Sequence, residues 1–296
     1  AKAFARDLAA GDMPSALRDR EDKLEAARQD PSAFDAHAAK LTKKARGLDA
    51  PHACVRAVRM AFDTPFDEAL AKEREIFIEL MNGEQSKSQR HLFFAEREAN
   101  KVPGIGKDVR PRAVKKAAVI GAGTMGGGIA MALANGGIPV TILEMSQEAI
   151  DRGMAVITRN YDTSVKRGSI SQELRDERLG RLSTTTSYDE IADCDLVIEA
   201  VFEEMSVKKD VFGKLDEVMK PGAILASNTS YLDVDAIAQM TKRPADVLGM
   251  HFFSPANVMK LLEIVRGKET APDVIATALA LGKQIGKVPV VVGVCH

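Results

Sequence analysis

The sequence KKAAVIGAGTMGGGIAMALANGGIPVTILE runs from Lys115 to Glu144 and carries the most specific structural signal in the chain. A short apolar run ends at a glycine-rich turn, and an alanine- and methionine-rich segment follows until Asn135-Gly136-Gly137 stops it. This pattern predicts a strand, a tight turn, a helix with a glycine C-cap, and a second strand. A unit of this kind is typical of dinucleotide-binding domains.

Three glycines of the turn meet three different physical requirements. Gly121 permits the sharp turn out of the strand, Gly123 lets the backbone approach a pyrophosphate, and Gly126 lets the helix pack closely on the strand. The free N–H groups and the positive dipole end of the helix then face the phosphates. The predicted cofactor-binding residues of this turn are Gly121, Ala122, Gly123, Thr124, Met125 and Gly126.

Glu144 ends the second predicted strand and supplies a carboxylate close to the glycine turn. It lies near the spacing of about 20 residues at which such units place the acid that binds the ribose 2′-hydroxyl. An acid at this position favours NAD over NADP. A glycine-rich turn alone is weak evidence, but the strand, helix and acid around it make NAD binding the favoured interpretation.

The amino-acid composition argues against several classes of protein function. The 296 residues suffice for about two domains on the usual prior. Because 41 basic and 42 acidic residues nearly cancel, the composition argues against a nucleic-acid or membrane-surface protein. Three scattered cysteines predict neither a disulfide framework nor a metal site. No apolar run reaches the roughly 18 residues of a membrane span.

The chain divides into two regions of different pattern. Residues 1–101 show helical periodicity throughout, including a segment from Pro65 to Asn82 whose apolar spacing predicts an amphipathic element of a helical bundle. Residues 102–113 break helices repeatedly and predict a linker. Residues 114–296 alternate apolar strands with helices. We therefore predict an α/β fold, a doubly wound Rossmann-type parallel sheet preceded by an all-helical segment. The abrupt termini lead us to expect part of a longer chain.

Polar side chains after the apolar strands mark the edge where such sheets bind ligands. Glu263 is the most telling, because it interrupts the apolar run Leu261 to Val265 and an ionised carboxylate there requires a polar partner. We predict that partner to be His251, since Ser254-Pro255 allows the chain to turn back between them. A carboxylate on one imidazole nitrogen orients the ring so that the other nitrogen can act as a general base.

A dinucleotide and a histidine base together indicate hydride transfer from a secondary alcohol. The Tyr-x-x-x-Lys pair of short-chain dehydrogenases is absent, since no lysine stands four residues after Tyr161, Tyr188 or Tyr231. No phosphate-binding GxxxxGK[ST] motif and no HExxH zinc motif occurs, so no metal site is predicted. A non-catalytic nucleotide-binding or scaffold module and a β-hydroxyacid dehydrogenase stay as alternatives.

Four sequence motifs resemble those of a known protein family. GAGTMG, DLVIEAVFEE, SNTS and HFFSPANVMKLLEIV, in this order, closely resemble the NAD-binding domain of the 3-hydroxyacyl-CoA dehydrogenases of fatty-acid β-oxidation. The helical sequence PFDEALAKEREIFIELMNGEQSKSQRHLFFAERE, followed by KVPGIG, resembles the segment that joins an enoyl-CoA hydratase domain to that dehydrogenase in multifunctional enzymes. The resemblance covers nearly the whole chain.

The resemblance implies roles for individual residues. His251 is expected to be the catalytic base, Glu263 its orienting partner, and Ser230 the contact to the substrate hydroxyl. Glu203 and Lys208 match positions near the nicotinamide ribose and the CoA portion, and Ser254 stands where single-function relatives carry asparagine. The predicted cofactor-binding residues outside the glycine turn are Glu144, Ala200, Val201, Glu203, Lys208, Asn228 and Ser254.

The resemblance also implies an activity and partners. We expect NAD-dependent oxidation of (3S)-3-hydroxyacyl-CoA to 3-ketoacyl-CoA, within a multifunctional enzyme that also carries enoyl-CoA hydratase activity. The family's catalytic asparagine and the helical domain that covers the acyl-CoA would follow His296, so the chain alone is expected to be inactive. Expected partners are the acyl-CoA substrate, the remainder of the polypeptide and a thiolase subunit. The expected location is the bacterial cytoplasm, with the peroxisome as the alternative.

Overall fold

The computed structural model describes residues 2–11, 16–21, 24–106 and 108–294. These residues form two compact units, one covering Ala1–Ala95 and the other Glu96–His296. The predicted division into a helical segment up to residue 101, a linker and a cofactor domain from residue 114 stays a prediction.

The described residues of the first unit contain helices and no strand. Asp30 accepts a hydrogen bond from the backbone N–H of Ser32 and caps the third helix, whose first residue is Pro31, as the Asp-Pro pair predicts. The helices are α1 (Lys2–Ala10), α2 (Glu25–Gln29), α3 (Pro31–Thr42), α4 (Asp49–Met60), α5 (Phe66–Asn82) and α6 (Glu84–Ala99), the last of which crosses the boundary between the units.

The apolar face of α5 is exposed. None of its residues is buried, and Phe77 keeps 62% of its surface accessible. Helix α5 nevertheless packs against α4, and Ala69, Ile76 and Leu80 are half-buried. The prediction that α5 is an element of a helical bundle stays a prediction. Amphipathic periodicity specifies that a helix has an apolar side, but burial of that side depends on a partner surface. The exposed apolar residues of α5 are Phe66, Leu70, Phe77, Ile78 and Met81.

The second unit contains a sheet of eight strands in the order β3-β2-β1-β4-β5-β6-β7-β8. Strands β1 to β6 run parallel, β7 is antiparallel to β6, and β8 is parallel to β7. The strands are β1 (Ala117–Ile120), β2 (Val140–Leu143), β3 (Leu182–Thr185), β4 (Leu196–Glu199), β5 (Ile224–Ser227), β6 (Val247–Phe252), β7 (Leu261–Arg266) and β8 (Val288–Gly293).

The doubly wound fold is confirmed, but the sheet is not parallel throughout. Only residues 253–260 join β6 to β7. A parallel connection needs a crossover of a dozen residues or more, so a link of this length returns the chain antiparallel. Strand β8 then follows a helical crossover and runs parallel to β7.

Helices cover both faces of the sheet. Because side chains alternate along a strand, Ala117 and Val119 of β1 join one apolar core, whereas Ala118 and Ile120 join the other. The helices of this unit are α7 (Thr124–Asn135), α8 (Gln147–Lys166), α9 (Gln172–Gly180), α10 (Met205–Val218), α11 (Val234–Ala238) and α12 (Pro272–Gln284). Within the described ranges, no helix is both long and apolar enough to cross a membrane.

Arg112 ties the segment before β1 to the opposite end of the sheet from the glycine turn. Its guanidinium Nε donates to Asp273 at 2.8 Å, and its Nη1 donates to Asp246 at 2.6 Å and to the Gly222 carbonyl at 3.0 Å. Its hydrogen bonds hold the pKa of Asp273 below the ordinary value. Arg112 therefore joins three separate parts of the second unit.

Replacement of Arg112 by methionine is expected to destabilise the second unit by about 2 kcal/mol, because two partly buried carboxylates lose their cation. For a domain of this size, that loss corresponds to a decrease in Tm of roughly 4–8 °C. Thermal unfolding followed by circular dichroism measures it. Arg110 is exposed, so R110M is the matched control. Equal Tm values for the two variants would contradict the assignment.

Candidate active site

The glycine turn has the geometry that its sequence predicts. Gly121 has φ +104°, and an added Cβ would lie 2.8 Å from the carbonyl oxygen of Ala200. A Cβ on Gly126 would overlap the carbonyl oxygen of Gly121, so α7 packs directly on the end of β1. A Cβ on Gly123 would meet no atom within 4 Å. The backbone at Gly123 therefore faces open space at the N-terminus of α7, where a pyrophosphate fits.

A further glycine, Gly153, was not predicted. It lies on α8, and its Cβ would be 2.5 Å from the Cβ of Ala122 and 2.6 Å from the Ala122 carbonyl oxygen. Helix α8 thus packs against the glycine turn itself. A glycine within an amphipathic helix is the only sequence signal for such a close approach.

Glu144 lies beside the turn at the end of β2. Its Oε1 accepts a hydrogen bond from the Ala122 N–H at 3.0 Å, and its Oε2 accepts one from the Met145 N–H at 2.8 Å. Together with Gly123, Thr124 and Pro255 it lines a cleft of about 360 Å³. Its predicted contact with a ribose hydroxyl stays a prediction.

His251 and Glu263 face each other across the antiparallel strands β6 and β7. The imidazole Nδ1 lies 2.8 Å from Glu263 Oε2. Since an ionised carboxylate only accepts, the neutral ring carries its proton on Nδ1 and presents Nε2 as an acceptor. Nε2 makes no hydrogen bond to any residue that the structure describes. The ring of Phe253 packs against the imidazole, with 4.6 Å between the centroids.

The segment after β5 brings the remaining predicted residues to the same edge. Asn228 Oδ1 accepts a hydrogen bond from the Phe252 N–H at 2.8 Å, and the Asn228 N–H donates to the Glu199 carbonyl at 2.8 Å. Ser230 is exposed, and its N–H donates to Glu203 Oε1 at 2.7 Å. The ends of β4, β5 and β6 are therefore linked through one asparagine.

Lys208 is buried and paired with two carboxylates. Only 1% of its side chain is exposed, and its Nζ lies 2.8 Å from Glu199 Oε1 and 3.3 Å from Glu203 Oε2. Burial raises the pKa of Glu203, but hydrogen bonds from Thr229 and Ser230 and the charge of Lys208 outweigh it and hold the pKa below the ordinary value. A direct contact between Lys208 and the cofactor stays a prediction.

Glu199, at the end of β4, is not among the site residues predicted from the sequence. Its side chain is fully buried, and its Oε1 accepts a hydrogen bond from the Val201 N–H at 2.7 Å. The signal was an acid closing the otherwise apolar strand β4. Ala200 and Val201 follow Glu199 in the sequence, and Gly121 packs against both of them.

The loop between β6 and β7, residues 253–260, is held by a buried cation. Lys287 donates from Nζ to the carbonyls of Ala256 at 2.5 Å and Met259 at 2.6 Å. Burial lowers the pKa of this ammonium. Ser254 lies on the same loop with its side chain exposed, so Lys287 fixes the backbone that carries a predicted cofactor contact.

Comparison with known proteins agrees with this arrangement. Residues 116–295 match the family described as 3-hydroxyacyl-CoA dehydrogenase, NAD binding domain. The chain belongs to this family. Its cofactor is therefore NAD, as the glycine turn and Glu144 predicted.

Individual relatives match over a larger part of the chain. The peroxisomal bifunctional enzyme of Danio rerio is 44% identical over 266 residues, which cover 88% of this chain and 36% of that protein. A solved 3-hydroxybutyryl-CoA dehydrogenase from Escherichia coli is 41% identical with a TM-score of 0.61, covering 62% of this chain and 39% of that chain. The chain spans about a third of the length of the curated relatives it matches.

A third comparison is with the dehydrogenase part of a multifunctional enzyme. The dehydrogenase part of multifunctional enzyme 1 from C. elegans is 31% identical with a TM-score of 0.60, covering 66% of this chain and 45% of that chain. The predicted relationship to the dehydrogenases of multifunctional β-oxidation enzymes is confirmed.

Replacement of Gly153 by alanine is expected to weaken NADH binding at least about tenfold, because the new methyl group would displace Ala122 in the phosphate-binding turn. Gly213 is the matched control, since it also lies within a helix and its Cβ would meet nothing within 4 Å. G213A is expected to bind NADH normally and to gain up to roughly 1 kcal/mol of stability. Fluorescence titration with NADH makes the comparison, and equal dissociation constants would contradict it.

Proposed function

We propose that this chain supplies the NAD-binding part of an enzyme that oxidises (3S)-3-hydroxyacyl-CoA to 3-ketoacyl-CoA. The observation that carries the proposal is the His251–Glu263 pair, 2.8 Å apart, at the same sheet edge as the glycine turn. A nucleotide turn alone would serve any binding module. An oriented imidazole with an available nitrogen supplies the general base that alcohol oxidation needs.

The residues at this edge of the sheet have different roles in the proposed reaction. His251 Nε2 would take the proton from the substrate hydroxyl. NAD, when bound at the glycine turn, would accept the hydride from the carbon that bears this hydroxyl. Glu263 holds the ring through Nδ1 and stabilises the imidazolium that forms. Ser230, exposed just after β5 at the same edge of the sheet, would hydrogen-bond to the same hydroxyl and so orient it. The predicted catalytic roles of His251, Glu263 and Ser230 are therefore parts of one proposed mechanism.

The substrate class rests on the relatives' names and on the resemblance of the motifs. The solved Escherichia coli relative is named a 3-hydroxybutyryl-CoA dehydrogenase. By analogy, we infer that the substrate is a 3-hydroxyacyl thioester of CoA, and the (3S) configuration comes from the family resemblance. A β-hydroxyacid dehydrogenase would need a lysine where this chain has the His251–Glu263 pair.

We also propose that the chain functions within a longer, multifunctional polypeptide. The curated relatives are named bifunctional or multifunctional enzymes, and the exposed apolar face of α5 supports a missing surface in the same polypeptide. Enoyl-CoA hydratase activity in that remainder and association with a thiolase subunit belong to this proposal. Because those relatives are named peroxisomal or glyoxysomal, we propose the peroxisome as the location, in preference to the bacterial cytoplasm.

Replacement of His251 by glutamine in the polypeptide as its gene encodes it is expected to lower kcat at least about 10³-fold, since the general base is lost. E263Q is expected to lower kcat by a smaller factor, because the imidazole stays but loses its orienting carboxylate. NADH affinity should change less than about twofold in both. Initial rates with 3-hydroxybutyryl-CoA and NADH titrations measure these effects.

His91 gives the matched control, since it lies exposed on α6 and H91Q is expected to keep the full rate. If H251Q kept its rate as well, the chain would be a non-catalytic nucleotide-binding or scaffold module. If free hydroxy acids were oxidised faster than their CoA thioesters, the β-hydroxyacid dehydrogenase alternative would replace the proposal.

Residues 1–296 alone are expected to bind NADH but to reduce acetoacetyl-CoA at less than about 1% of the rate of the whole polypeptide. The reason is that the predicted substrate-covering domain is absent from this chain, so water is not excluded from the reacting atoms. Comparison of the two proteins in one NADH-absorbance assay tests this. Equal rates would show that this chain contains a complete active site.

A further inference from the structure

Glu199 and Lys208 form a buried ion pair at the carboxyl end of β4. The carboxylate is 0% exposed and the ammonium 1%, with 2.8 Å between Oε1 and Nζ. Every buried side-chain polar atom among the described residues has a hydrogen-bond partner. The pair is thus fully satisfied, although it lies in the interior of the domain.

Glu199 holds three separate segments. Its Oε1 accepts from the Val201 N–H at 2.7 Å and from Lys208 on α10, and its Oε2 accepts from the Ser227 hydroxyl at 2.7 Å. The Ser227 hydroxyl in turn accepts from the Thr229 N–H at 3.2 Å. One carboxylate therefore sets the end of β4, the start of α10 and the turn after β5.

A second path leads from the same carboxylate to Ser230. Lys208 also contacts Glu203 Oε2 at 3.3 Å. Glu203 Oε1 accepts from the Thr229 hydroxyl at 2.6 Å and from the Ser230 N–H at 2.7 Å. Two paths therefore lead from Glu199 to the segment that carries Ser230. One passes through Ser227 and Thr229, and the other passes through Lys208 and Glu203.

Stability alone gives little reason for such an arrangement. Removing an ammonium and a carboxylate from water costs several kcal/mol each, and replacement of a buried pair by well-packed apolar side chains is often neutral or stabilising. Fully connected polar networks do, however, hold their members in one geometry. Preorganised groups at a reacting centre need that precision.

We propose that Glu199 is a positioning residue for the proposed dehydrogenase reaction. It acts through Lys208 and Ser227 to fix Ser230, and through the Val201 N–H to fix the residue against which Gly121 packs. This inference rests on the proposed function. Ser230 contacts the substrate, whereas Glu199 does not reach the surface. Loss of its charge deprives the buried Lys208 of its nearest anion and is expected to lower Tm. In the protein that stays folded, Ser230 should no longer contribute to the rate.

The test is a double-mutant cycle in the polypeptide as its gene encodes it. The variants are E199Q, S230A and the combination, with kcat and KM measured for 3-hydroxybutyryl-CoA and for NAD. E199Q keeps the shape of the side chain and removes its charge. We expect kcat to fall about tenfold in E199Q, and S230A to cost about tenfold in the wild-type background but less than about twofold in E199Q.

A purely structural role for Glu199 predicts a different result. The two substitutions would then multiply, and the loss in E199Q would appear in Tm rather than in the kcat of folded protein. Multiplicative effects, or a kcat of E199Q within twofold of wild type, overturn the inference. Glu204 is exposed on the same segment, and its side chain makes no capping hydrogen bond to α10. It gives the control E204Q, which should keep wild-type rates.

Two further measurements distinguish failure of this inference from misfolding of E199Q and from failure of the proposed function. If E199Q does not fold, S227A takes its place in the cycle, because it removes the hydroxyl that links Glu199 to Thr229 and leaves the Glu199–Lys208 ion pair intact. If the wild-type polypeptide oxidises no 3-hydroxyacyl-CoA, the proposed function fails. NADH binding to residues 1–296 then decides the inference: E199Q should raise the dissociation constant at least about fivefold and E204Q should not, and equal values overturn it.

Discussion

The candidate site depends on the reversal of one strand. His251 and Glu263 are directly paired residues of β6 and β7, and paired residues of an antiparallel ladder place their side chains on the same face within reach of each other. The 2.8 Å bond between them follows from this register. A shift of the pairing by one residue would send one of the two side chains to the opposite face of the sheet.

The parts of the fold that depend on local chemistry were predictable. The turn from Gly121 to Gly126 needs backbone freedom and close approach, and both requirements appear directly as glycine in the sequence. The pairing of His251 with Glu263 was predictable for a similar reason, since a carboxylate inside an apolar strand demands a partner. The antiparallel direction of β7 could also be inferred from the short connection, although the strand pattern alone indicated a parallel sheet.

The features that sequence reasoning missed depend on contacts between distant segments. Nothing in the sequence around Gly153 shows that Ala122 lies against it, and nothing around Glu199 shows that Lys208 points inward from the next helix. The exposed face of α5 illustrates the same point, because its periodicity defines an apolar side but not the surface that covers it. Tertiary partners, rather than propensity, determine these outcomes.

The anchoring of the loop by Lys287 sets a limit on how short this domain can be made. The ammonium that holds the Ala256 and Met259 carbonyls comes from the residue just before the last strand, far beyond the cofactor turn in sequence. A truncation ahead of residue 287 would keep the glycine turn, His251 and Glu263, yet release the backbone that presents Ser254. A shortened domain that keeps this loop anchored therefore has to include Lys287, even though this residue is not a predicted ligand.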